Sequence, residues 1–169
     1  MTIHFGDSTS IDSGGSIGKF LQVQSVTKTN TFITSSSSFV DITGLSLNIT
    51  PSSSSSKILV LASITMANTN TGQRFVYALR RDSTDIAIAD ADGNRVRGTG
   101  GGQDGGGGTV DSCAAMHLDS PNTTSAVTYV PRVAALDSGS IIINRSNSDA
   151  DSATYARFAS FLTLIEVFA

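Results

Sequence analysis

Charge is scarce in this sequence. Asp, Glu, Lys and Arg make up 15% of its 169 residues, against the ~25% usual in soluble domains. Apolar residues stand at 39%, so Ser, Thr, Asn and Gly have taken the place of the missing charges. A surface of neutral hydroxyls and amides stays soluble, and Thr keeps strand propensity high. The 11 basic residues are scattered among 14 acidic ones for a net charge of −3. That excludes sequence-independent nucleic-acid binding, which needs clustered cations to displace counterions from phosphates. Cys113 has no second cysteine to pair with, so a cystine-stapled miniprotein is excluded. No apolar run approaches the ~18 residues of a membrane-spanning helix. The opening MTIHFGDSTSIDSGG lacks the apolar core of a signal peptide, and a route other than classical secretion is expected.

Helical periodicity is missing as well: no window of 11 or more residues sustains it. What the chain has instead is a repeated device of short strand-like runs broken by Ser, Thr, Asn or Gly. About ten strands are predicted, over 20–28, 31–34, 38–42, 45–50, 57–67, 73–81, 84–89, 109–118, 125–135 with 140–145, and 156–168. The run KILVLASITMA at 57–67 predicts a strand buried on both faces. Phe75, Tyr77 and Leu79 alternate with smaller or polar neighbours and predict a core face. The polar stretch at 80–85 predicts a hairpin turn leading into Ile86. Both faces of the last strand are largely apolar, which predicts a central place in a sheet or a subunit interface. Many short strands at this spacing point to an all-β fold, an antiparallel sandwich or jelly roll. The length suits one domain over 19–169 with a real core. Residues 1–18 are looser, with Ile3 and Phe5 as the only strand-like pair, and read either as a frayed terminus or as an arm that docks into a larger assembly.

The groups that carry catalysis are not assembled in this sequence. The glycine-rich run at 98–108 lacks the Lys-Ser/Thr and following helix of a phosphate loop. It reads as a flexible loop at one end of a sandwich, or more narrowly as close packing of three such loops about a threefold axis. Its neighbours Arg95, Arg97, Gln103 and Asp104 are candidate surface contacts. His4 and His117 have no metal-ligand spacing, and His117 is expected to hydrogen-bond within or beside the sheet. Cys113 reads as a small buried residue rather than a nucleophile. No Gly-x-Ser-x-Gly elbow occurs. The calcium-loop opening at Asp90 fails at its sixth and twelfth positions, occupied by Arg95 and Gly101. Asn147, Asp149 and Asp151 could supply oxygens to a cation, with a solvated loop as the simpler reading. No enzyme activity and no cofactor are expected.

The string SVTKTNTFITSSSSFVDITGLSLNITPSSSSSKILVLASITMA, with RFVYALRRDSTDIAIADADGNRVRGTG, HLDSPNTTSAVTYVPRV and the closing IIINRSNSDADSATYARFASFLTLIEVFA, resembles a module of tailed-bacteriophage virion proteins of the tail-fibre type. The resemblance runs over roughly 19–168. The opening MTIHFGDSTSI is similar to the Phe-x-Asp-Gly-Thr pieces that precede fibre domains, with Ser8 where Gly is common. The resemblance implies a jelly-roll sandwich exposed on a virion, assembling as a homotrimer, with no catalytic residues. The expected partners are further copies of the chain, other virion proteins through the Ile3–Phe5 arm, and a host-surface glycan or protein, with no nucleic acid and no membrane insertion. The expected roles are a short tail fibre or fibre knob that attaches to a host, or alternatively a capsid decoration protein. Release by lysis of an infected host fits the absence of a signal peptide.

Overall fold

The computed structural model describes residues 3–4, 10–11, 19–105 and 109–168. Every named strand pair is antiparallel, and no helix occurs among the described residues. A short hairpin joins β1 (Ile3–His4) and β2 (Ser10–Ile11), with Ile3 opposite Ile11. Twelve further strands build the body: β3 (Phe20–Lys28), β4 (Phe32–Thr34), β5 (Val40–Asp41), β6 (Leu47–Ile49), β7 (Lys57–Asn68), β8 (Arg74–Arg81), β9 (Thr84–Ile86), β10 (Gly100–Gln103), β11 (Asp111–Asp119), β12 (Val127–Ala135), β13 (Ile141–Ile143) and β14 (Ser160–Val167).

Sheet one runs β3-β14-β7-β11, with β13 and β4 continuing it past the start of β14. Sheet two runs β10 and β9, then β8, then β12, then β5 and β6. Setting aside the short β4 and β13, and taking β5 with β6 as one position and β9 with β10 as another, leaves eight positions in chain order. One sheet then holds positions one, eight, three and six, and the other two, seven, four and five. This is a jelly roll, the double Greek key that lets two antiparallel sheets share one core. The expected fold class holds.

The core is the facing side of both sheets. Ile58, Val60, Ile64, Met66, Leu162 and Leu164 from sheet one meet Phe75, Tyr77, Leu79, Tyr129 and Val133 from sheet two, all buried. Strand alternation sends every second residue inward, which is why Phe75, Tyr77 and Leu79 behave as the sequence predicts. The 80–85 hairpin also forms, with Arg81 opposite Thr84 and Asp82 at φ 50° in the turn.

Two expectations change. Full burial of 57–67 holds only from Ile64 onward. Leu59, Leu61 and Ser63 point to the outer side of sheet one and stay half-exposed, because no described element lies over them. The glycine run is the second. Gly100–Gln103 is a strand, paired in register with β8 so that Gly100 faces Tyr77 and Gly102 faces Phe75. A Cβ on Gly100 would stand 2.6 Å from the Tyr77 ring, and one on Gly102 2.7 Å from the Phe75 ring. These two glycines are demanded by aromatic rings of their own chain, so a threefold packing is not what explains them. Residues 106–108 lie outside the described residues.

Candidate interaction site

Two surfaces stand out. The first is the outer face of sheet one. Strand register lays its side chains out in rows. Val23, Ile165, Leu59 and Leu118 form one row. The next holds Ser25, Thr163, Leu61 and Met116, and the third Thr27, Phe161, Ser63 and Ala114. None of these twelve residues is charged. Met116 is 78% exposed, Val23 56%, Leu118 54% and Phe161 46%. An antiparallel sheet with one solvated side normally alternates apolar-in with polar-out, and β14 and β11 depart from that rule. Lys57 borders the face, and its ammonium turns aside to donate to Ser120 Oγ at 2.8 Å.

The outer face of sheet two is the opposite case. Arg80 pairs with Asp41, and Arg132 reaches Asp41 at 3.1 Å and Asp85 at 3.0 Å. Arg132 also donates to the Phe39 carbonyl at 2.8 Å and lies over the Phe39 ring, 5.6 Å from its centre. The segments carrying Phe39, Asp41 and Asp85 are thereby fastened to the sheet, and Val130 and Ala134 are buried on that side.

The second surface is formed by loops. Arg95 is exposed at a turn, paired with Asp92, while Arg97 donates to the Ala89 carbonyl at 2.6 Å. These two share the 87–99 loop. Gln103, the last residue of β10, and Asp104 just after it lie at the far end of that strand. Gln103 is exposed and donates to the Gly72 carbonyl at 2.7 Å. Asp104 is 2% exposed and accepts from the Asn68 backbone N–H at 2.8 Å. It fastens β10 to the end of β7 and is not a surface contact. A shallow cleft of about 370 Å³ beside β10 is lined by Val76, Ala89, Val96, Gly101 and Leu136. Of the expected docking arm, Ile3 is placed only by its backbone pairing with Ile11, and Phe5 lies outside the described residues.

At the end of the sandwich where β7 begins, a serine-rich loop at 51–56 is anchored by Glu166. Ser52 donates to Glu166 Oε1 twice, from its backbone N–H at 2.7 Å and its hydroxyl at 2.6 Å. Gln22 Nε2 donates to Oε2 at 2.6 Å. Burial pushes the Glu166 carboxyl up, but the bonds from Ser52 and Gln22 outweigh it and hold it down at about 2. The neighbouring 119–125 loop is tied in through Arg81, whose guanidinium donates to Asp119 Oδ2 at 2.6 Å and to the Ser120 carbonyl at 3.3 Å.

The reactive groups are spread apart. Burial, with Asp111 adding to it, pushes the Cys113 thiol up to about 11, leaving it protonated at neutral pH. His117 lies in β11 with Asp119 Oδ1 at 4.0 Å. Asp149 is paired with Arg157 and lies 3.8 Å from Arg145. No group of three or more His, Cys, Asp or Glu able to hold a metal occurs among the described residues.

No family model matches the chain, and no curated protein is similar to it. Among the solved structures that are similar are chains from infectious bursal disease virus. A chain from the Gt strain is 12% identical, with 94% of this chain covering 42% of that one at a TM-score of 0.47. A chain from a VP2 subviral particle is 14% identical, again with 94% covering 42%, at 0.44. One from the Gx strain is 10% identical, with 86% covering 40%, at 0.44. This chain spans less than half the length of each.

Sequence reasoning reached part of the site. It marked the last strand as apolar on both faces, and β14 indeed lies between β3 and β7. It missed Met116 and Leu118. Cys113, Ala114, Ala115 and Met116 are four small or apolar residues in a row, so the sequence of 111–119 has no clean alternation, and which side faced the core depended on pairing with β7.

Proposed function

We propose that this protein is a non-catalytic virion structural protein, a short tail-fibre or fibre-knob module that attaches to a host surface. The observation carrying this reading is the uncharged, largely apolar outer face of sheet one, set on a jelly roll whose other surfaces are polar loops and paired arginines and aspartates. Such a body joins other protein through its sheet and presents loops to a partner. The resemblance of residues 19–168 to tail-fibre-type modules supports the same reading, and a homotrimer is part of the proposal. The loops at 87–99 and 119–125 supply the host contact to a glycan or protein, and residues 1–18 supply the contact to the rest of the particle.

The same apolar face supports a second reading, a decoration protein that seats on a capsid shell and stabilises it. Locating the protein on the virion with labelled antibody, together with adsorption assays, separates the two. For the fibre reading, label appears at the tail and purified protein competes with particle adsorption. Label on the head, with heads that lose heat resistance when the protein is stripped, establishes the second reading and overturns the first. Label on neither overturns both.

A further inference from the structure

We infer that the outer face of sheet one is the surface through which copies of this chain associate, with Met116, Leu118, Phe161 and Val23 as its most exposed apolar side chains. This rests on the reading of the chain as an assembling structural module, and it assigns the contact to one face.

Three observations carry it. First, the face is unlike a solvated one. Four side chains that burial would favour stand 46–78% exposed on β3, β14 and β11, with Leu59, Leu61 and Ile165 between them in the same rows. Contiguous exposure of this kind marks interaction surfaces in soluble proteins. Second, the face is of the right scale. Four strands ~4.8 Å apart and about nine residues long give roughly 15 by 30 Å in projection. Side-chain relief adds accessible area to that, and Phe20 and Phe168, both exposed, extend the apolar surface near one end of β3. Stable complexes bury about 800 Å² per partner, so the face, about 450 Å² in projection, supplies roughly half of one side of such an interface.

Third, its charge selects the occupant. Copies of a chain with net charge −3 repel one another, and like charges meeting across an interface oppose association. A surface with no charged residue in any of its three rows is where this chain can meet itself without that penalty. A differently charged partner would be recognised by complementary charge, and the rows offer none. Sheet two carries its own arginines and aspartates already paired with one another, and loops already cover part of it.

The test is the mass of the full chain in solution, by sedimentation equilibrium over ~1–50 µM, with Met116→Lys and Phe161→Lys compared with Val96→Lys. Val96 is exposed but lies in the 87–99 loop, away from sheet one. The wild type and the Val96 variant are expected at a multiple of 17.5 kDa. Either lysine in sheet one is expected to raise the dissociation constant at least tenfold and shift the mass towards the single chain. The far-ultraviolet β signature and a cooperative melt must persist, since both side chains are exposed. A monomeric wild type overturns the inference, as does an oligomer whose mass neither substitution changes. A chain lacking residues 1–18 tests the alternative occupant. If the wild type is monomeric and the truncated chain associates, the arm covers the face and the inference fails. A monomer that still competes with particle adsorption would sink this inference and leave the attachment reading standing. Association through this face in a protein absent from the virion would do the reverse.

Discussion

Glu166 is fully buried at a place where a carboxylate has to be ionised to be useful. Its two oxygens accept from Ser52 and Gln22, so a polar loop with little apolar content of its own is fixed to the last strand. The folded-state value of about 2 lies below the ordinary 4.5. A depressed carboxyl contributes stability that is fully present above the unfolded value and is lost as the folded one is protonated. Stability should therefore decline as pH falls from about 4.5 towards 2. Glu166→Gln should lower stability by about 1–3 kcal/mol at neutral pH, since the charged acceptor is gone and a donor faces donors. Urea titrations across this pH range would show a flatter acid limb for the variant. An unchanged acid limb would mean that another group governs it. Asp119 holds a comparable position. Its Oδ2 accepts from Arg81 and from the buried Tyr129 hydroxyl at 2.7 Å. Asp119→Ala leaves both donors without this acceptor and should cost about 3 kcal/mol. Asp119→Asn keeps an oxygen and should cost less, and the urea midpoints of the two variants check the order.

The β10 strand shows how one element can be built almost without side chains, three glycines followed by Gln103. Two glycines let the Tyr77 and Phe75 rings lie flat against the neighbouring backbone, an aromatic cover for glycine in a sheet. Gly100→Ala or Gly102→Ala forces a methyl against a ring already fixed in the core and should destabilise by about 1–3 kcal/mol. Thermal melts would register it, and Tyr77→Ala in the Gly100→Ala background should recover part of the specific clash. Strands are legible in sequence through the alternation of their side chains, which is why β3, β8, β12 and β14 fall close to where 20–28, 73–81, 125–135 and 156–168 place them. A glycine run has no alternation to read, so β10 looks like a loop until its partner is known. Pairing is the other hidden quantity. Thr163 meets Ser25 across 138 residues with hydroxyls 3.0 Å apart, and no local pattern announces that. Asp104 was legible as polar and near a loop, but its burial is set by the end of β7 folding over it.

At the scale of the whole molecule the two sheets have been given different surfaces for the same internal core. Sheet two closes its outer side with arginine–aspartate pairs and overlying segments, whereas sheet one leaves leucine, methionine and phenylalanine in rows beside serine and threonine. A chain so poor in charge has little electrostatic means of choosing a partner at a distance, so encounter is left to contact area. Association through an uncharged sheet should then respond to salt in a distinctive way. Surface ion pairs are largely screened once ionic strength passes a few hundred millimolar, where the Debye length is only ~3–6 Å. Apolar contacts are strengthened by excluded salts such as sulfate. The dissociation constant of the assembly should therefore stay within about threefold between ~20 mM and ~500 mM sodium chloride, and fall in ammonium sulfate. Weakening of the assembly by sodium chloride, measured by sedimentation at matched protein concentration, would place the contact on charged loops and away from sheet one. Since net charge of −3 works against association at low salt, screening should bring copies together slightly more readily, opposite in sign to what a salt-bridged interface would give.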